Sequence, residues 1–527
     1  MDQYVAWVLL TIPFALLGLA GLQTVLSIGH KGRPVPNARA DVPLIPAWCR
    51  LISGLCGAQV VIAMVFLVGS CLLDFIPVRI ANETSSVLAQ GLRDAWTFLP
   101  DRPSLLMLGL VNLIGWLSSH YSLRYLAGDR RQVVYFSAFA WTIGSINAMV
   151  LSGSLIVFAI FWASISLGLH HLLTYHRELP TAQRAAWLKL GFSRCGDLFM
   201  LVACVHCYVA LGTTNFSELP DRVATLNPTQ TMIISVLIAA AAALKSAQFP
   251  FHAWLPQTLA TPTPVSALMH AGVVNAGGFL LIRTHSLINV SPVVLTGLTV
   301  VGALTATVGV LAMLTQPSIK KGLAHSTVAQ MGFMFIQCGL GMWGAVMLHL
   351  VAHSLYKSYA FLSSGTIEFN PRLAVRSERQ SPETGVLRGF VGAMLLVLAC
   401  WLLLDKLQAG HTGIVFAWLL LLTIGRLLFW QPLVRSESFS QKLLAGGLLI
   451  GTFAICFRLM HWFLPGSLGD PVAHIPLMSS VVAGTCFACL FIAEWAIGYW
   501  PTNPLIRRLY VTSLNDFYLA KIYPTWK

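Results

Sequence analysis

The chain has 527 residues, 56% of them hydrophobic and only 10% charged, with a mean hydropathy of +0.74. No soluble domain of this size is so apolar and so poor in charge, which excludes a water-soluble globular protein. The net charge of +14 would suggest nucleic acid in a soluble chain. Here the basic residues fall in short loops, where the cytoplasmic bias toward Lys and Arg accounts for them, and no nucleic-acid partner is expected.

In chain order, apolar runs of roughly 18 to 28 residues recur along the whole length, as helices need to cross a bilayer. The first, Val5 to Gly29, follows Asp2 and lacks a small-residue cleavage pattern, so it reads as a retained helix and not a signal peptide. The pattern predicts about fifteen spans. They lie near 5–29, 51–77, 104–122, 132–152, 154–175, 191–212, 229–249, 263–287, 290–316, 319–340, 343–367, 389–407, 412–431, 442–463 and 476–499. The segment 251–260 is expected to dip into the membrane without crossing it. The polar stretches near 30–50, 78–103 and 369–388 read as loops. The expected fold is therefore all-α: one polytopic domain over 1–500, then a tail over 501–527. That tail, with Arg507, Arg508, Leu514, Phe517 and Tyr518, reads as an amphipathic piece lying on the cytoplasmic face or on a partner.

Charge alternates between the loops. One side collects Lys31, Arg33, Arg39 and Arg50; Arg124, Arg130 and Arg131; Arg177, Arg184 and Lys189; then Lys320 and Lys321. It later collects Arg372, Arg376, Arg379 and Arg388, then Arg435 and Lys442, then Arg507, Arg508, Lys521 and Lys527. The opposite loops are balanced, with Glu83, Arg93, Asp94, Asp101 and Arg102 in one and Glu218, Asp221 and Arg222 in another. This places the N-terminus outside and the C-terminus in the cytoplasm of a cell inner (plasma) membrane.

The eleven cysteines lie mostly within apolar runs. Cys204 with Cys207 and Cys486 with Cys489 have CxxC spacing, but neither pair has a second ligand pair nearby, so they read as small core hydrophobes. No phosphate loop, catalytic triad or metal-ligand cluster appears in the polar loops. The chain is expected to hold no metal and no cofactor, and to do no chemistry on a substrate itself.

Two stretches carry ionisable residues inside apolar helices. The run HLVAHSLYK sets His349, His353 and Lys357 at four-residue spacing, on one helical face and about 6 Å apart along the axis. Burying a lysine in hydrocarbon costs at least ~2.5 kcal/mol, so such residues face a bundle interior or water and mark an ion path. The second stretch is ALKSAQFPFHAWLPQTLATPTPVSALMHAGVVNAGGFLLIR, residues 243–283. Lys245 lies in the apolar helix, Pro250 and Pro256 interrupt it, His252 sits in the break and His270 follows on the next helix. Broken helices are tolerated inside membranes where freed carbonyls line a polar cavity. An amine in apolar surroundings and an imidazole near neutrality can both release and retake a proton.

The segment KSAQ-x-P-x-x-x-WLP followed by PTPVSAL-x-H resembles the proton-translocating antiporter-like subunits, which include the large membrane-arm subunits of respiratory complex I and of Mrp-type Na⁺/H⁺ antiporters. SRCGDLF at 193–199 resembles the family's Arg-x-Gly-Asp helix start, giving Arg194 and Asp197. SIKKGLAHSTVAQMGFM at 318–334 resembles its helix that begins with a lysine, here Lys320, and HLVAHSLYKSYAFLSSG its helix with two histidines and a lysine. The resemblance implies two inverted five-helix repeats with broken helices, roughly 132–287 and 290–431. It also implies a central polar axis containing Lys245, His270, His349, His353 and Lys357.

Two departures stand out. The family places a glutamate after the tryptophan on its fifth helix, where this chain has Ala163; Ser164, Ser166, His170 and His171 are the candidates to replace it. The family's Gly-Phe-Phe-Ser-Lys motif on the twelfth helix is replaced by WLLLDKLQAGH, with Asp405 and Lys406 as stand-ins. These departures resemble the membrane subunit of the DAB inorganic-carbon accumulation complexes. That resemblance implies a proton-conducting subunit coupled to a soluble, carbonic-anhydrase-like partner that holds zinc. A cation/proton antiporter or complex I-like pump is the alternative; a structural membrane anchor, motivated by Ala163, is another.

Overall fold

The computed structural model describes residues 2–29, 46–72, 97–365, 439–464, 468, 475–500 and 502–521, and over these residues the chain is helical with no strand beyond two isolated bridges. The principal helices are α1 (Asp2–Gly29), α2 (Ala47–Leu72), α3 (Arg102–Tyr125), α4 (Gln132–Val150), α5 (Leu155–Leu173), α6 (Pro180–Leu211) and α7 (Pro228–Lys245). They continue as α8 (Thr263–Ala271), α9 (Ala276–Arg283), α10 (Pro292–Thr315), α11 (Ile319–Gly339), α12 (Trp343–Leu362), α13 (Phe439–Phe463), α14 (Leu477–Tyr499) and α15 (Pro504–Leu514). Eight helical segments among the described residues are long and apolar enough to cross a membrane, with α8 and α9 counted as one. The expected spans at 389–407 and 412–431, the loop at 369–388, Asp405 and Lys406 lie outside the described residues.

Helix starts follow local chemistry. Asp101, Ser154 and Asn227 cap α3, α5 and α7 by accepting a backbone N–H with their side chains. Prolines occupy the first turns of α3, α6, α7 and α10, where a missing N–H costs nothing. On α6 the buried residues Ala182, Ala185, Ala186, Lys189, Ser193 and Gly196 recur at helical spacing. Its opposite face exposes Leu198, Leu201, Val205 and Val209, the last 77% exposed, as a lipid-facing surface would. The loop charges place Lys189 in a basic loop, but the Ala-rich stretch after Pro180 carries the helix about ten residues further, and Lys189 is buried within it.

The pair α10–α11 packs closely because small residues face each other: a Cβ on Gly332 would meet the backbone of Ala306, and one on Gly309 the backbone of Ala329. The expected dip at 251–260 is a series of short turns, Phe251–Ala253, Trp254–Gln257 and Thr258–Ala260. The next span is itself interrupted at Gly272–Asn275, between α8 and α9. At the far end of α9, Arg283 forms an ion pair with Asp101 at 2.5 Å and donates to Ser104 Oγ at 2.6 Å and to the Leu99 carbonyl. The rings of Phe216 and Phe279 flank its guanidinium. Cys204 and Cys207 each donate a thiol hydrogen to a backbone carbonyl. Glu494 is buried on α14 and Arg458 is exposed on α13.

Candidate functional site

Lys245, the last residue of α7, is buried. Its Nζ donates to the Trp162 carbonyl at 2.8 Å and to Ser166 Oγ at 3.0 Å, and stands 4.5 Å from the centre of the Trp162 ring. The acceptors, four residues apart on α5, lie on one face. Of the four candidates to replace the family's glutamate, Ser166 is thus the one in contact with Lys245. Ser164 pairs with Ser145, His170 sits against Trp187 and near the Ala186 carbonyl, and His171 turns to the Leu167 carbonyl.

Beside this cradle Arg194 pairs with Asp197 at 2.8 Å and donates to the carbonyl of Ala163 itself. Asp197 is the carboxylate whose charge reaches Lys245. Lys189 lies within reach of the charges of Lys245, Asp197 and Arg194, and its Nζ has no hydrogen-bond partner among the described residues. Sequence reasoning missed it because nothing in a basic stretch beside an apolar run separates a buried lysine from a loop lysine. The helical spacing of the small residues before it was the available signal.

Lys357 is fully buried on α12. Its Nζ donates to the Leu323 carbonyl at 3.0 Å and to Ser326 Oγ at 2.7 Å, both on α11. His353 lies one turn back, also buried, with His349 one turn further and half-buried; their ring centres are 5.9 Å apart. His349 Nδ1 lies 3.0 Å from Gln337 Oε1. His270, on α8, is fully buried and stacks on Phe361 at 4.4 Å. His252 is buried in the break, stacked with Phe249. Lys320, half-buried at the start of α11, donates to Thr263 Oγ1 at 2.9 Å and so ties α11 to the start of α8.

The structure therefore brings His270, His349, His353 and Lys357 together, and places Lys245 and Asp197 in a second group. Among the described residues no hydrogen bond joins the two groups directly. They are tied through the two helix breaks. Ser246 Oγ, next to Lys245, donates to the Val274 carbonyl, and Ser354, one turn before Lys357, donates to the Ala271 carbonyl and accepts from Asn275. The carbonyls released by the second interruption are thus taken by serines from α12 and from the end of α7.

Two family models match the sequence: NADH:quinone oxidoreductase/Mrp antiporter, transmembrane, over residues 152–428, and NADH-ubiquinone oxidoreductase (complex I), chain 5 N-terminus, over 88–136. The chain is similar to a protein named probable inorganic carbon transporter subunit DabB2 of Halothiobacillus neapolitanus, 42% identical over 51% of this chain and 50% of the relative. It thus spans about half the length of that relative. It is 30% identical to the probable inorganic carbon transporter subunit DabB of Bacillus subtilis, over 76% of this chain and 78% of the relative. NADH-quinone oxidoreductase subunit L of Escherichia coli is 34% identical over 57% of this chain and 49% of the relative. The fold matches a chain of the Mrp complex from Dietzia sp., with TM-score 0.56 and 22% identity over 98% of this chain and 54% of that one.

Proposed function

Because the chain belongs to the NADH:quinone oxidoreductase/Mrp antiporter family of membrane subunits, we propose that it is the proton-conducting membrane subunit of an energy-coupled inorganic-carbon uptake complex. One observation supports this reading above the rest. Lys245 and Lys357 are buried, each donating to one carbonyl and one serine hydroxyl, with no carboxylate in hydrogen-bond contact among the described residues. A buried amine without a bound counterion is costly to keep charged and cheap to neutralise, so its proton can come and go. The imidazoles beside Lys357 offer further stations for the same proton. The relatives named as inorganic carbon transporter subunits favour carbon as the cargo of the complex.

Protons enter from the outer face and move along buried water and the axis of Lys245, His270, His349, His353 and Lys357. A charge moving down the membrane potential yields about 2.3 kcal/mol per 100 mV. That energy drives one-way conversion of CO2 to bicarbonate in a soluble, carbonic-anhydrase-like partner on the cytoplasmic face, and the zinc belongs to that partner. The N-terminus lies outside and the C-terminus in the cytoplasm, as the loop charges favour.

The test is growth of a host lacking carbonic anhydrase, expressing the chain with the partner that co-purifies with it. Rescue at low CO2 that disappears with Lys245→Ala or Lys357→Ala is expected. Undiminished rescue by both variants would rule out the axis. Sodium-dependent pH change in vesicles without carbon-dependent rescue would move the protein to the antiporter class.

A further inference from the structure

The C-terminal tail returns to the bundle at one defined point. Helix α15 packs against α10, and Gln316, at the end of α10, donates to the Leu514 carbonyl at 3.1 Å. Immediately after α15, Asp516, Phe517 and Tyr518 have φ of 53°, 54° and 56°. Three successive L-residues in the left-handed region are disfavoured, so contacts must hold this kink. One contact is explicit: Asp516 Oδ1 lies 2.8 Å from His325 Nε2. His325 is 1% exposed, whereas the Asp516 side chain is 36% exposed. Oδ1 itself is buried against the ring, and the rest of the Asp516 side chain meets water at the edge of the bundle.

His325 adjoins Ser326, the serine that binds Lys357. It also lies close enough to His252 and His270 to act on both electrostatically. Its neighbours thus come from every side: His252 from the broken helix, His270 from α8, Lys357 by way of Ser326, and Asp516 from the tail. Neither ring nitrogen of His325 makes a hydrogen bond among the described residues, nor does Asp516 Oδ1, so Nε2 and Oδ1 face each other at 2.8 Å as a close contact whose N–H is not aimed along the line between them.

We propose that His325 and Asp516 are the proton-transfer pair joining the buried axis to water on the tail face, so that the tail completes the pathway. This rests on the proton-conducting reading above. A proton arriving at Nδ1 makes the imidazolium. Once a turn of the ring aims Nε2–H at the carboxylate, that bond breaks as an O–H bond forms on Oδ1, leaving a neutral imidazole and a carboxylic acid. Rotation of the carboxyl group then carries the acid's proton to the exposed side, where water takes it and restores the carboxylate, and the imidazole resets its tautomer. The reverse sequence carries a proton inward.

The experiment uses the full chain with its co-purifying partner in sealed vesicles. Proton flux is read with a pH-sensitive dye and normalised to assembled complex. Asp516→Asn keeps a side chain that can hydrogen-bond His325 and tether the tail, but it cannot carry the proton. It is expected to lower flux by at least about tenfold, with a larger solvent deuterium isotope effect, and Asp516→Glu is expected to restore most of the flux. His325→Gln is an independent arm with the same expected loss. Wild-type flux in both Asp516→Asn and His325→Gln, with Lys357→Ala inactive, would overturn the port and leave the axis standing. Slowing by Asp516→Asn with an unchanged isotope effect would also overturn the port, by reducing Asp516 to a tether. Wild-type flux in Lys357→Ala would overturn the underlying reading.

Discussion

Lys245 and Lys357 are bound in the same way, each by a carbonyl and a serine hydroxyl three or four residues apart on a facing helix. Their surroundings differ. Lys245 has the Arg194–Asp197 ion pair and a second buried amine, Lys189, within electrostatic reach. Lys357 has three imidazoles, of His270, His349 and His353, grouped around its helix. An ion pair and a buried amine surround the first lysine, and imidazoles surround the second. On the proposed reading both lysines are stations on one path, set in different electrostatic surroundings.

The most severe way to break this comparison is to remove each amine. Lys245→Ala and Lys357→Ala should each lower proton flux in vesicles by about 100-fold or more, the scale of losing a proton carrier. If only one variant loses flux, the two cradles are not stations on one path. Removing one acceptor is milder. Ser166→Ala and Ser326→Ala each delete a hydrogen bond to an amine, worth about 1.5–3 kcal/mol when the amine is charged, so flux should fall roughly tenfold in each. Equal losses would support equivalent cradles; a loss confined to Ser326→Ala would show that the Arg194–Asp197 pair compensates at Lys245.

Packing offers a sharper spatial test. Gly332→Ala pushes a methyl into the backbone of Ala306 and should destabilise the α10–α11 pair by about 1–3 kcal/mol. Hydrogen exchange should quicken on α10 and α11 while α5 and α7 stay protected. The smallest expected effect is at Lys189. Its buried Nζ has no partner among the described residues, so Lys189→Met should leave stability unchanged or raise it by about 1 kcal/mol, read as the thermal midpoint in detergent. A lowered midpoint together with lost flux would place Lys189 among the working groups of the first cradle.

Much of this was legible in the chain. Apolar runs mark the helices because in lipid the backbone must satisfy itself within each segment. The His349–His353–Lys357 stripe and the break after Lys245 were visible because spacing and proline are local signals. The partners were not. Ser166 could be named only beside Ser164, His170 and His171, because choosing among them needs the rotation of α5 against α7. Lys189 looked like one more loop charge. The contact of Asp516 with His325 joins residues far apart in sequence, and an acidic residue in a polar tail carries no mark of what it will meet.

The knot of Asp101, Arg283 and Ser104 has a mechanical meaning as well. It anchors the far end of α9, while the same membrane segment is interrupted at Gly272–Asn275. A rod clamped at one end and jointed in its middle cannot slide as a whole; any displacement is confined to a swivel of the piece beyond the joint. That piece is α8, and it carries His270.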